Sequence, residues 1–331
     1  MKKLVTGLIN FPIFRVDSLS GHKGNNRKCC GYPVVTCHHF KIEYLLMSEP
    51  LANNEIEEFF SIISKHASAG NHISYTYIRK TLEKLSIPFP SVTVPKGKLL
   101  CRSRAHTKDE DLFRNIEAIS YRQDHFYIED FGRANEPTQS IFYCSDSDIV
   151  AFIETSILTR QNSGLPSDTV TTGVWEVQED FRIATITSNE EIRGLNSTME
   201  GLETEFRKLT EVYRNEGTDG HINILDLFSK EFTRNSYGDN TKYIVSCAFA
   251  NYVYDAIDQN KHQVGGIMYP SAIYPNKGMN LALKPELVDS GKLKLIAARR
   301  GTMNKTDETN YHEEDIIDAK SINQETSTIK W

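Results

Sequence analysis

Arg102 and Arg104 stand two residues apart in Leu99-Leu100-Cys101-Arg102-Ser103-Arg104-Ala105-His106, a segment with strand character. Alternate residues of a strand point to the same side, so the two guanidiniums share one face. An arginine on the inward face of a strand needs an anionic partner. A diphosphate suits it, because guanidinium and phosphate pair in a bidentate fork. Arg133 lies in Gly132-Arg133-Ala134-Asn135-Glu136-Pro137, a turn composition of the kind that carries ligand-contacting residues. Glu154 follows Ile153 in a short apolar helix, three positions before Ile157. Its carboxylate sits at the rim of the apolar face or turns into a pocket. Ser271 follows Tyr269-Pro270 at the end of a short strand. Singly, each has an ordinary explanation: arginines salt-bridged on a solvated face, an exposed helical glutamate, a core position for Tyr143.

The elements that must position these residues can be read from periodicity. Residues 53–68 predict a helix, capped by Asn53 or Asn54, with Ile56, Phe59, Phe60 and Ile63 on one face. A second helix is expected over 75–85. Ile87-Pro88-Phe89-Pro90, with Pro95 after it, reads as an extended linker and a domain boundary. Beyond it, Lys98–His106 and Ser140–Cys144 read as strands. Asp146-Ser147-Asp148 caps a helix reaching about Leu158. Trp175–Thr187 supplies one or two more strands. Helices are expected near 189–213, 221–234 and 241–258, then short strands at 266–273, 279–283 and 292–299. This is not the regular strand–helix alternation of a doubly wound fold and points to α+β. The expected organisation is a mainly helical region over 1–95, a catalytic domain over 96–302 and a poorly ordered polar tail over 303–331.

Composition narrows the function classes. The 331 residues are 39% hydrophobic and 25% charged, which suits a globular chain. A net charge of −6 argues against a broad nucleic-acid surface. The Met1-Lys2-Lys3 start precedes an apolar stretch interrupted by Thr6, Asn10 and Pro12, which fits a signal peptide poorly. No run reaches the length of a membrane span. The six cysteines are too sparse for a disulfide scaffold, which implies a reduced, cytoplasmic protein. Cys29-Cys30 and Cys37-His38-His39 lack a clear second ligand pair, and their reading is two thiols and a polar loop rather than zinc. The glycine-rich dinucleotide and phosphate-loop motifs are absent, as are H-E-x-x-H and G-x-S-x-G.

As a set, these segments resemble the RES domain, a family named for its Arg, Glu and Ser. Gly132–Pro137 is similar to that family's G-R-[WA]-N-x-P turn. Phe142-Tyr143 followed by Glu154 matches its strand-then-helix pair, and Tyr269-Pro270-Ser271 with Gly278-x-Asn280 matches its closing segment. The resemblance covers roughly residues 98–300, with a divergent stretch near 160–240. It implies an ADP-ribosyltransferase-like mixed β core with surrounding helices, binding NAD⁺ as substrate and needing no metal. The implied activity is hydrolysis or phosphorolysis of the nicotinamide–ribose bond by the toxin of a bacterial toxin–antitoxin pair, blocked by a helix-turn-helix antitoxin. By the resemblance, Arg102, Glu154 and Ser271 are catalytic, and Arg104, Arg133, Tyr143 and Asn280 bind the dinucleotide. Arg102 and Arg133 would hold the diphosphate, and Tyr143 would flank the nicotinamide. Cys101, where many members have an aromatic residue, leaves Arg102 and Arg104 as alternatives for the key arginine. An ADP-ribosyltransferase acting on a macromolecule and a non-catalytic binding module are the competing readings. Homo-oligomerisation and the role of residues 1–95 stay open.

Overall fold

Short apolar strands that are buried on both sides need helices or loops to cover each face. The chain meets this with one large sheet and two unlike covers. The computed structural model describes residues 43–45, 51–85, 87, 89–107, 110–159, 167–186, 219–234, 240–256, 263–273, 278–305 and 311–331, and single positions between 201 and 211. Their order is β1 (Glu43–Leu45), α1 (Asn53–His66), α2 (His72–Leu85), β2 (Phe89–Val94), β3 (Leu99–Ala105), β4 (Phe142–Ser145), α3 (Asp148–Thr155), β5 (Ser167–Val177), β6 (Phe181–Thr185), α4 (Asp219–Thr233), α5 (Ile244–Tyr254), β7 (Gly266–Pro270), β8 (Met279–Leu283), α6 (Glu286–Asp289), β9 (Leu293–Lys305), β10 (Tyr311–Asp318), β11 (Ser321–Asn323) and β12 (Thr328–Lys330).

Ten strands form one mixed sheet in the order β1-β2-β6-β7-β8-β4-β3-β5-β9-β10. Among the described residues, only β6 and β7 pair in parallel. Near the middle, β4 and β3 meet through a single residue pair, Cys101 opposite Ser145. The sheet is therefore weakly joined at that seam.

Directly opposed residues share a face. Ala184, Ile267, Ala282 and Tyr143 follow one another across β6, β7, β8 and β4. They meet Phe59, Ile63, Ile78, Leu82, Phe228, Phe232 and Phe249 from the helices in one apolar cluster. This is the helical face. α5 is buried along its whole length, which explains a sequence apolar all round. The opposite face carries Leu100, Phe142, Trp175, Met268, Leu281 and Leu295, covered by Phe113, Ile116, Ile119 and Ile329. This is the loop face. α3 packs on the helical-face side of β3 and β5, where Phe152 and Ile153 join Val170 and Met303.

Several expectations are corrected. Phe89–Val94 is no linker: β2 pairs with β1 and β6 inside the sheet. α1 and α2 join the same cluster as the sheet residues, so a cut at residue 95 would pass through a shared core. The chain after 303 is not a loose tail. β9 runs to Lys305, β10 pairs along it, and the β11–β12 hairpin seats Ile329 in the loop-face cluster. The cap of α1 is Ala52, whose N–H donates to Glu55 Oε2 at 2.8 Å, not Asn53 or Asn54. The N-cap of α3 is Ser147, inside the expected Asp146-Ser147-Asp148, with no side-chain cap bond, and Asp146 serves a different partner. Its Oδ1 accepts from Met279 N at 2.8 Å, tying the start of α3 to β8. Most of the helix expected near 189–213, and the Cys29, Cys30, Cys37, His38 and His39 group, lie outside the described residues. No described helix is long and apolar enough to cross a membrane.

Candidate functional site

Glu154 sits near the C-terminal end of α3, a helix whose Val150, Ala151, Phe152 and Ile153 are buried. That packing leaves the Glu154 side chain half-buried at the ends of β7 and β8. Ser271 Oγ donates to Glu154 Oε1 at 2.6 Å, and Asn280 Nδ2 donates to the same oxygen at 2.8 Å. Ser271 is fully buried, and Asn280 nearly so. Asn280 is oriented in turn, because its Oδ1 accepts from Ser145 Oγ at 2.5 Å. The amide can serve both partners in only one orientation, with nitrogen toward the carboxylate. Oε1 is thus held by two donors, while Oε2 accepts no bond from a described residue. A carboxylate pinned on one oxygen and open on the other can hold a hydroxyl, steady a nearby positive charge or take a proton.

The register explains why these residues meet. Cys101, Ser145, Asn280 and Tyr269 form one row across β3, β4, β8 and β7. The row lies on the helical face with Tyr143. The sequence reading placed Tyr269 in the closing motif without a role, and Ser145 escaped it. Ser145 could only have been found from its register with Asn280.

Tyr143 and Arg133 lie on this same face, each with its polar groups engaged. The Tyr143 hydroxyl donates to Asn135 Oδ1 at 2.8 Å and accepts from Ala134 N at 2.9 Å. Burial pushes its ionisation well above the usual phenol range, so it works as a neutral hydrogen-bonding group. It holds the 132–135 turn. Gly132 is required there, because a Cβ would lie 2.1 Å from Asn135 Oδ1 and 3.2 Å from the Tyr143 hydroxyl. Arg133 donates to the carbonyls of Glu231 (3.1 Å), Phe232 (2.5 Å) and Arg234 (3.0 Å) at the end of α4. Its guanidinium also lies 5.0 Å from the Tyr243 ring centre and 5.9 Å from that of Tyr269. This is a cation at a helix C-terminus, where the backbone carbonyls want one. Tyr269 is the neighbour that Arg133, Tyr143 and Glu154 share.

Arg102 and Arg104 are the exception. Cys101 shares the face of Ser145, so strand alternation puts Leu100, Arg102 and Arg104 on the loop face. Arg102 Nη1 donates to Tyr143 O at 2.6 Å and Nε donates to Ser120 O at 2.8 Å. Its guanidinium lies 5.3 Å from the Phe142 ring centre. Burial lowers its pKa to about 10, which leaves it charged at neutral pH. Arg102 therefore bridges the seam where β3 and β4 part, giving the Tyr143 carbonyl the donor that the ladder does not. Arg104 donates to Ala118 O at 2.6 Å and pairs with Glu110 at 3.1 Å. The expectation that both strand arginines line one hollow with Glu154 is corrected. They share a face with each other, as alternation requires, but not with the carboxylate.

Among the described residues, no group of three or more His, Cys, Asp or Glu is placed to hold a metal ion. A polar cleft of about 470 Å³, bordered by His125, Gln139, Asn251 and Lys284, lies at the other end of β4 and β8 and does not include Glu154. Compared with protein-family models, curated proteins and solved structures, the chain matches none.

Proposed function

We propose that the chain consumes NAD⁺ by cleaving its nicotinamide–ribose bond at Glu154. The observation that carries this reading is the Glu154 carboxylate fixed on Oε1 by Ser271 and Asn280, with Oε2 accepting no bond from a described residue. The resemblance to the RES domain named Glu154 and Ser271 together, and a 2.6 Å bond joins them across 117 positions of sequence. An ADP-ribosyltransferase-like arrangement of the mixed sheet belongs to the same proposal.

In the proposed reaction the bond between ribose C1′ and the nicotinamide nitrogen breaks, and its electron pair leaves with nicotinamide. Positive, oxocarbenium-like charge then develops on the ribose, as in glycoside cleavage. Glu154 Oε2 steadies that charge or a ribose hydroxyl. Water or phosphate supplies the new bond to C1′; when water attacks, its proton passes to the carboxylate and on to solvent. Ser271 and Asn280 act through Glu154 by fixing its orientation, as a preorganised site requires. Arg133 is the one of the three named arginines on this face. Its three carbonyl bonds make it a positioning residue for the 132–135 turn, and it adds positive charge on the side where a diphosphate would lie. An antitoxin that covers this end of the sheet would silence the site.

The test is a nicotinamide-release assay with the full chain, run in phosphate and in phosphate-free buffer, with Glu154→Ala as control. Release in either buffer that is lost in the folded variant supports the proposal. Intact NAD⁺ in both buffers refutes it. Label from NAD⁺ appearing on protein or nucleic acid would shift the reading to a transferase.

A further inference from the structure

The loop face carries a second polar cluster, remote from Glu154. Arg104, Thr171 and Arg300 stand directly opposite one another across β3, β5 and β9, so their side chains form one row. Thr169 and Thr302 form the adjacent row, with hydroxyls 3.2 Å apart. The His106 ring accompanies them, its Nε2 lying 2.7 Å from Thr171 Oγ1. Phe113 backs the cluster, stacked on His106 at 4.1 Å and lying 4.5 Å from the Arg104 guanidinium.

Of the two arginines in the row, only Arg104 has an acid paired with it among the described residues. Arg104 is matched by Glu110. Glu314, opposite Thr302 on β10, accepts from Asn304 Nδ2 at 3.0 Å and lies 3.8 Å from His312. Ile317, not an acid, stands opposite Arg300. Arg300 Nε is buried and without an acceptor. No ion pair neutralises its guanidinium among the described residues, although the side chain is only half-buried. A buried N–H without an acceptor is costly, and an unpaired guanidinium beside three threonine hydroxyls presents the donors that a tetrahedral oxyanion accepts.

We propose that this cluster binds a phosphate-class oxyanion, with Arg300 as its main ligand and the Thr169 and Thr302 hydroxyls as flanking donors. The anion would be free phosphate or the terminal phosphoryl group of a nucleotide. Because the cluster faces away from Glu154, the bound anion is no reactant there, and the inference stands whether or not the chain cleaves NAD⁺.

The experiment is calorimetric titration of the full chain with inorganic phosphate and, separately, with AMP. Wild type, Arg300→Gln and Arg300→Lys are compared, each checked for folding by circular dichroism. Wild type should bind at least one probe. Arg300→Gln should weaken that binding by about tenfold or more, as expected for loss of a charge-assisted fork, with Arg300→Lys intermediate. Binding of AMP alone assigns the site to nucleotides, and binding of phosphate supports a free anion. No binding of either probe at millimolar concentration overturns the proposal. So does binding whose affinity is the same in Arg300→Gln as in wild type.

Discussion

Replacing Arg133 by alanine separates two roles that an arginine in a glycine turn could have. In the structure it caps α4 through the carbonyls of Glu231, Phe232 and Arg234 and lies against Tyr243 and Tyr269. A hydrogen bond to a charged donor contributes about 1.5–3 kcal/mol net, and an exposed one much less. The Glu231 and Phe232 carbonyls are the more sheltered pair. Each ring contact adds roughly 0.5–1 kcal/mol. These terms overlap, so Arg133→Ala should cost about 4 kcal/mol, and Arg133→Lys about half of that, because an ammonium cannot fork across the helix end. For a chain of this size roughly 2 °C accompanies each kcal/mol, giving a fall of about 8 °C in Tm for the alanine variant. The assay is thermal unfolding followed by circular dichroism, with guanidinium titration alongside. A variant that unfolds within about 1 °C of wild type while losing NAD⁺ affinity would refute the reasoning. Arg133 would then be a ligand-holding residue and not a helix cap.

Two further outcomes follow from the packing and the buried histidines. Gly278→Ala would place a Cβ 2.6 Å from Asp146 Oδ1 and 2.9 Å from Val150 Cγ2. It should cost about 1–3 kcal/mol of stability, read by chemical denaturation, and disturb Asn280 two residues on. Burial lowers the pKa of His106 and His221 below the ordinary 6.5. The native state then binds fewer protons than the unfolded chain, so this stabilisation is complete above pH 6.5 and is lost as pH falls through the folded values. Denaturation midpoints should fall between pH 7 and pH 5, and His221→Asn should flatten part of that slope. The buried carboxyls of Asp146 and Glu231, raised by desolvation, work in the opposite direction at lower pH.

Local elements were readable where the chemistry is local. α1, α2, α3, β3 and β8 follow from apolar spacing, and Glu154, Ser271 and Asn280 do converge as their shared motif implied. What escaped depends on partners distant in sequence. Strand alternation put Arg102 and Arg104 together, but which side of the sheet meets Glu154 was decided by Cys101 facing Ser145. The Arg133 carbonyls come from residues 98 to 101 positions away. Pro88 and Pro90 disguised β2, because proline usually breaks a ladder; Pro90 pairs only with the short β1. Glu313, Glu314, Asp315 and Asp318 made β10 look like a tail, yet acidic residues are common on an edge strand, where they deter further pairing.

The most direct measurement is the rate of nicotinamide release from NAD⁺ by four folded proteins: wild type, Glu154→Gln, Ser271→Ala and Asn280→Ala. Glu154→Gln keeps the size of the side chain and removes its charge, so turnover should fall by about 10²-fold or more. Ser271→Ala and Asn280→Ala each remove one donor to Oε1 and should fall by a smaller factor. Wild-type turnover that Glu154→Gln retains, or no turnover by wild type at all, would contradict the account.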